Sequence, residues 1–187
     1  MLATGRQMPA AYYNEKIPSE IVDGWPLMYS VVSGIISTVN WHKRRILDCG
    51  CGPGRMVEFL PTHNVYTGID WSAKCIKIAR KKWPNHDFRV VDFLKDDFEF
   101  ENYDTFLFLE VLEHIEQDLR LLSHVPENSH VIISVPNRDD EAHVRYFVSL
   151  DEAMSRYSSL IDYEFAGASK VNNSGKMFFI LYGVKRG

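Results

Sequence analysis

The chain has 187 residues, enough for one full hydrophobic core and too few for a second large lobe, so specificity has to come from loops and termini. Hydrophobic residues make up 45% and charged residues 25%, and residues 1–10 lack the apolar stretch of a secretory signal. No apolar run approaches the roughly 20 residues of a membrane span, so a cytoplasmic protein is expected. A net charge of −4 disfavours an extended nucleic acid as partner, because neutralising phosphates needs clustered Lys and Arg. Lys77, Arg80, Lys81 and Lys82 do cluster, but on one predicted helix, as its solvated face.

Residues 1–25 are punctuated by Gly5, Pro9, Pro18 and Gly24 and read as an irregular arm with one short helical turn, carrying the adjacent Tyr12 and Tyr13. From Pro26 to Val39, Leu27, Val31, Ile35 and Ile36 recur at helical spacing. Ile46 and Leu47 form a short buried strand closed by Asp48, and Gly50, Gly52 and Gly54 let the main chain turn tightly with nothing projecting above it. Such a turn exposes unpaired N–H groups to a ligand, but an acid two positions before the first glycine disfavours a pyrophosphate and favours a cation. Cys49, Cys51 and Cys75 are an odd number; two sit inside the turn and read as small fillers rather than a disulfide.

A helix is expected over Arg55 to Leu60, ended by Pro61 and Thr62-His63-Asn64. The β-branched run Val65 to Asp70 also closes on an acid, 20 residues beyond Gly50, the separation at which nucleotide-binding α/β units place a carboxylate on ribose hydroxyls. Ser72 caps a helix to Lys82 with Ala73, Ile76, Ile78 and Ala79 as its packing residues. Phe88 to Val91 is a third strand ending at Asp92 and Phe93, and Lys95 to Asn102 reads as surface loop. Thr105 to Leu109 is a fourth strand, followed by Glu110 to Ile115 as the start of a helix continuing to Leu122. His130 to Val135 is a fifth strand, stopped by Pro136-Asn137. Ser149 and Glu152 form a capping box for a helix from Leu150 to Ser158. Tyr163 to Ala166 and Met177 to Val184 flank the turn-forming Asn172-Asn173-Ser174-Gly175 as a terminal antiparallel hairpin.

Alternating strands and helices predict an α/β chain, a mostly parallel sheet with helices on both faces. Ligands of such sheets bind beyond the carboxyl ends of the strands, where the glycine turn, Asp70, Asp92, Glu110 and Asn137 all fall. The pattern Asp48-x-Gly50-x-Gly52-x-Gly54, with Asp70 and Asp92 behind it, resembles the first motifs of class I S-adenosylmethionine-dependent methyltransferases. The resemblance covers Ile46 to Phe147 and implies a single three-layer Rossmann-like domain over residues 1–187, with seven strands and a donor-binding core at 45–147. It implies that Asp48, Gly50, Cys51, Gly52, Gly54, Asp70, Trp71, Asp92, Phe93 and Leu109 surround the donor, Asp92 taking the adenine amine and Phe93 lying against the ring. In that family an N-terminal aromatic segment folds over the donor; Tyr12 and Tyr13 do this or simply anchor the arm.

Glu110-x-x-Glu113-His114 is similar to the segment after the fourth strand in ubiquinone-biosynthesis O-methyltransferases and small-RNA 2′-O-methyltransferases. The expected reaction is therefore O-methylation of a small molecule. The alternatives are a nucleotide or RNA 2′-O-methyltransferase, or a donor-binding subunit without turnover. His114 is the candidate general base, of pKa near neutrality, and His143 faces the acceptor pocket by resemblance. On a helix Glu110, Glu113 and His114 would share one face, a set suited to Mg²⁺, Mn²⁺ or Zn²⁺ with His143 as fourth ligand, or else merely a solvated helix start. A nicotinamide dehydrogenase is disfavoured by Asp48, by Asp92 and by the absence of glycine at Arg55. His42, His63, His86 and His130 read as surface residues.

Overall fold

The computed structural model describes residues 3, 5–16, 25–39, 44–61, 64–93, 95, 98–170 and 175–187. His42, His63, residues 17–24 of the arm and the first three residues of the expected hairpin turn lie outside them. Seven strands, β1 (Arg45–Cys49), β2 (Val65–Asp70), β3 (Asp87–Val90), β4 (Thr105–Leu109), β5 (His130–Pro136), β6 (Ile161–Lys170) and β7 (Met177–Lys185), form one sheet in the order β3-β2-β1-β4-β5-β7-β6. The first five are mutually parallel, and β7 runs antiparallel between β5 and β6, as the sequence leads one to expect. Strand order reverses between β1 and β4, which places the mouth of the sheet beside the glycine turn.

Strand alternation sorts the core onto two faces. Leu47, Cys49, Phe106, Phe108, Val131 and Ile133 point to one side, where they meet α4 (Asp118–Ser123) and α5 (Leu150–Tyr157) through Leu122, Ala153 and Tyr157. Their neighbours Ile46, Leu107, Ile132 and Ile180 point to the other, against α2 (Trp25–Val39) and α3 (Ala73–Lys82). Near-continuous apolar runs in β4 and β5 reflect burial on both sides. No helix among the described residues is long and apolar enough to cross a membrane.

Five expectations are corrected in detail. α2 presents Met28, Tyr29, Val32, Ile35 and Ile36 to the sheet, leaving Leu27 54% exposed, and α3 packs through Cys75, Ile76 and Ala79 while Ile78 faces out. The Arg55–Phe59 segment is a 3₁₀ helix. Residues read as a surface loop bury Phe100, which stacks on Phe106 at a ring separation of 5.8 Å. His130 is half-buried rather than a free surface residue, its Nδ1 within 3.1 Å of the Tyr182 hydroxyl. The capping assignments hold: Ser72 Oγ accepts from Cys75 N–H, and Ser149 Oγ from Glu152 N–H.

Asp48 is 3% exposed beneath the glycine turn and accepts a 2.6 Å bond from the Tyr66 hydroxyl. Burial raises its pKa to about 7, against the opposing pull of that bond. A carboxyl raised in the folded state favours folding while protonated and loses that contribution as pH climbs from about 4 to about 7. Thermal melts should therefore show the wild type falling relative to Asp48→Asn across that window, and parallel curves would refute the assignment. At Gly183 an added Cβ would sit 2.1 Å from the Asp162 carbonyl oxygen, so Gly183→Ala should cost about 1–3 kcal/mol or more in chemical denaturation.

Candidate active site

The glycine turn takes left-handed backbone at Gly50 (φ 77°), Gly52 (φ 53°) and Gly54 (φ 75°), conformations that L side chains rarely adopt. Its N–H groups are not open to a ligand, contrary to the expectation from sequence. Gly50 and Cys51 donate to the Ile69 carbonyl, Gly52 donates to Asp70 Oδ2 at 2.9 Å, Pro53 has no N–H, and Gly54 donates to the Cys51 carbonyl. A phosphate would find no free donor along these five residues, which removes the basis of pyrophosphate binding at such turns. At Gly50 an added Cβ would press on the Val111 side chain, and at Gly54 on Phe88 and Trp83, whereas at Gly52 it would meet nothing within 4 Å.

The turn opens onto a cavity of about 360 Å³ whose floor is the end of β1, β2 and β4. Of the residues that the resemblance assigns to the donor, Gly50, Cys51, Gly52, Asp70, Trp71, Phe93 and Leu109 line it. Asp70 is held by two backbone donors, Gly52 and Ser72 N–H, while burial raises its pKa. Trp71 and Phe93 stack with centroids 6.3 Å apart and an interplanar angle of 13°. Asp48 and Gly54 do not line the cavity, and neither does Asp92, whose carboxylate meets Lys95 Nζ at 2.8 Å. Asn137 also turns away, closing the end of the terminal hairpin through Met177 N–H and the Gly175 carbonyl.

The far wall is the segment after β4, where no continuous helix forms. Glu110 takes φ 58°, a 3₁₀ turn occupies Leu112–His114, and α4 begins only at Asp118. Glu110 is held by β5: its N–H donates to Ser134, and the Ser134 hydroxyl donates to Glu110 Oε1 at 2.9 Å. The expected metal set is redrawn accordingly. Atoms of Glu113, His114 and His143 lie within 4.8 Å of one another, and Glu110 is not in this group. His114 Nδ1 lies 2.9 Å from the Ala142 carbonyl and His143 Nδ1 3.0 Å from the Arg138 carbonyl. Since a carbonyl only accepts, each ring is assigned as the Nδ1–H tautomer with its Nε2 lone pair free.

Burial shapes the charge of this wall. Glu110 is raised to about 8 by desolvation, and Glu113 is pushed up by desolvation and by Glu110. His114 is lowered to about 4 by burial and by His143, so it is neutral at physiological pH and a weaker base than its sequence position promised. Both Glu113 carboxylate oxygens, Arg138 Nη1, the Tyr13 hydroxyl and Trp25 Nε1 are buried without a hydrogen-bond partner, and all four residues line the cavity. Arg138, Trp25 and Tyr29 were not anticipated; only the position of Arg138 just past strand five hinted at it.

The N-terminal arm forms the roof through α1 (Ala10–Glu15). Tyr13 packs edge-on against His114 and at a tilt on Trp71, and Tyr12 reaches Glu141 at 2.7 Å. Asn14 Oδ1 accepts from the Ser72 hydroxyl at 2.8 Å.

The sequence profile of the family described as "Methyltransferase domain" matches residues 46–127. Trans-aconitate 2-methyltransferase of Rhodopseudomonas palustris is 30% identical over 54% of this chain and 42% of its own length. The ubiquinone biosynthesis O-methyltransferase of Coxiella burnetii is 24% identical over 60% of this chain and 52% of its own. The chain thus spans about half the length of the curated relatives it matches. The fold is shared with the N-methyltransferase NodS of Bradyrhizobium japonicum in complex with S-adenosylhomocysteine, with a TM-score of 0.72, 15% identity, and coverage of 94% of this chain and 98% of that one. It is shared equally with the [4+2]-cyclase SpnF, with a TM-score of 0.72, 14% identity, and coverage of 98% and 99%. The architecture alone therefore does not select a reaction. Residues 46–127 thus match a methyltransferase domain, and the chain resembles the class I S-adenosylmethionine-dependent methyltransferases in that stretch of sequence and in fold.

Proposed function

We propose that this chain transfers the methyl group of S-adenosylmethionine to an oxygen of a small-molecule acceptor, with a divalent cation held by Glu113, His114 and His143. The observation that carries the reading is the pairing of two walls across one cavity. One is a glycine turn with open space at Gly52 beside the Asp70 carboxylate. The other is an unpartnered carboxyl beside two imidazoles with free Nε2 lone pairs. The donor supplies a methyl group activated on a sulfonium, with no phosphate to place. The oxygen specificity is supported by the name of one relative, the ubiquinone biosynthesis O-methyltransferase, and by the Glu110-x-x-Glu113-His114 segment.

In this reading Asp70 accepts from the ribose hydroxyls, using the lone pairs that Gly52 and Ser72 leave free. Trp71, Phe93 and Leu109 supply apolar surface, and Tyr13 roofs the site against water. Methyl transfer is an in-line displacement, so alignment is the main task of the protein and is worth about 7 kcal/mol or more. The donor set fits a cation: mixed oxygen and nitrogen ligands, a carboxylate otherwise orphaned, and each imidazole oriented by a carbonyl on its other nitrogen. A cation there would lower the pKa of an acceptor hydroxyl, a task for which His114 alone is poorly suited.

Calorimetry should detect one site for S-adenosylhomocysteine and none for NAD; the reverse result would overturn the donor assignment. Asp70→Ala should weaken that binding by about 1.5–3 kcal/mol, since it removes a charged acceptor. With labelled donor and a panel of hydroxylated acceptors, EDTA should abolish transfer while leaving S-adenosylhomocysteine affinity intact, and Glu113→Gln should do the same. Full transfer in excess EDTA excludes the cation.

A further inference from the structure

We propose that Arg145 is a positioning residue: it caps the turn after β4 from below and thereby holds the Glu113 carboxyl and the His114 imidazole against the cavity. The inference rests on the reading of that cavity as the methyl-transfer site, but its geometry is independent of any ligand.

An uninterrupted helix from Glu110 would direct its carbonyls to N–H groups four residues later. Here two bonds stay within the turn, from His114 N–H to the Val111 carbonyl and from Ile115 N–H to that of Leu112, and the others go to another segment. Arg145 Nη1 donates to the carbonyls of Leu112 and Ile115, the latter at 2.6 Å, and Nη2 donates to Glu116 at 3.1 Å. Val144 N–H donates to the Glu113 carbonyl at 2.8 Å. The carbonyls of 112, 113, 115 and 116 are therefore taken up by residues 144 and 145, and the His114 ring returns a bond to Ala142. His143 lies on the same ladder, which brings its ring to within 4.8 Å of His114.

Arg145 is 9% exposed and its charge is balanced by Asp118, 3.2 Å away and 1% exposed. Asp118 also receives both arms of Arg156 at 2.7 Å and the Tyr157 hydroxyl at 3.2 Å. Two arginines thus share one buried carboxylate, yet of the two only Arg145 also caps the turn. A planar fork can bond several carbonyls at fixed angles; a lysine ammonium brings the charge as a point and cannot span them. The hydrogen bonds of Arg145 go to backbone carbonyls of the turn, so its hold on the orientation of Glu113 and His114 passes through the backbone, while its charge also acts on the Glu113 carboxyl through space.

The test compares Arg145→Lys with Arg156→Lys, two variants that each keep the charge beside Asp118. Long-range proton–nitrogen NMR of the imidazoles reads the tautomer of His114, and S-adenosylhomocysteine calorimetry reads the opposite wall. In the wild type and in Arg156→Lys, His114 should give one Nδ1–H signature. In Arg145→Lys that single signature should be lost to tautomer exchange, with S-adenosylhomocysteine affinity within about twofold of wild type. Should Arg145→Lys not fold, Arg145→Gln is read in the same way. A wild-type His114 signature in the Arg145 variants, or its equal loss in Arg156→Lys at matched melting temperature, overturns the proposal. Absence of S-adenosylhomocysteine binding in the wild type would count against the methyl-transfer reading and leave the imidazole comparison standing.

Discussion

Buried carboxyl groups are the constraint around which this structure is arranged. Asp48, Asp70, Glu110 and Glu113 all lie at the carboxyl ends of the central strands, and burial raises the pKa of each. Taking a carboxylate from water costs several kcal/mol unless donors or counter-charges replace its hydration. Asp48 has a tyrosine hydroxyl, Asp70 two backbone N–H groups and Glu110 a serine hydroxyl, whereas Glu113 lies against the Glu110 carboxyl and has the more distant charges of Arg138 and Arg145 in place of a geometric hydrogen bond. The unresolved burden is concentrated on one wall of one cavity. A ligand that brings positive charge relieves it, and a sulfonium, an ammonium and a divalent cation all satisfy that description. A pyrophosphate would add charge of the sign that burial already disfavours there, in agreement with the saturated glycine turn.

Much of this was legible in the sequence because it depends on short-range pattern. Short apolar and β-branched runs gave the strands, the acids at their ends marked the mouth of the sheet, and the spacing of Asp70 from Gly50 marked the wall of the cavity on which both lie. The glycines were recognised for their backbone conformation, but the destination of their N–H groups was not, since those bonds go to Ile69 and Asp70 on the neighbouring strand. Gly50 and Gly54 proved to answer to packing against Val111 and Phe88 as much as to the turn itself.

The segment after β4 was misread for a related reason. Glu110 to Leu122 has the composition of a helix, and local propensity favours one. What wins is tertiary: Ser134 fixes Glu110 at one end and the Asp118–Arg145 pair intercepts the carbonyls further on. The result reaches part of the expected convergence by another route. Helical spacing would have collected Glu110, Glu113 and His114, while the broken chain collects Glu113, His114 and His143. Glu110 is set aside as the partner of Ser134, a substitution that no periodicity in one stretch of chain reveals.

The roof of the cavity differs in kind from its floor. α1 contributes no fully buried residue, and several of the arm's ties are polar: Tyr12 and Lys16 to Glu141 at the surface, and Asn14 to the buried Ser72 hydroxyl. Such bonds are individually worth little, and the ion pair among them weakens as salt rises. Removing the roof disturbs neither hydrophobic face of the sheet. An element held this way can part from the floor while both hydrophobic faces of the sheet stay packed, and of its ties the Lys16–Glu141 ion pair is the one that salt loosens.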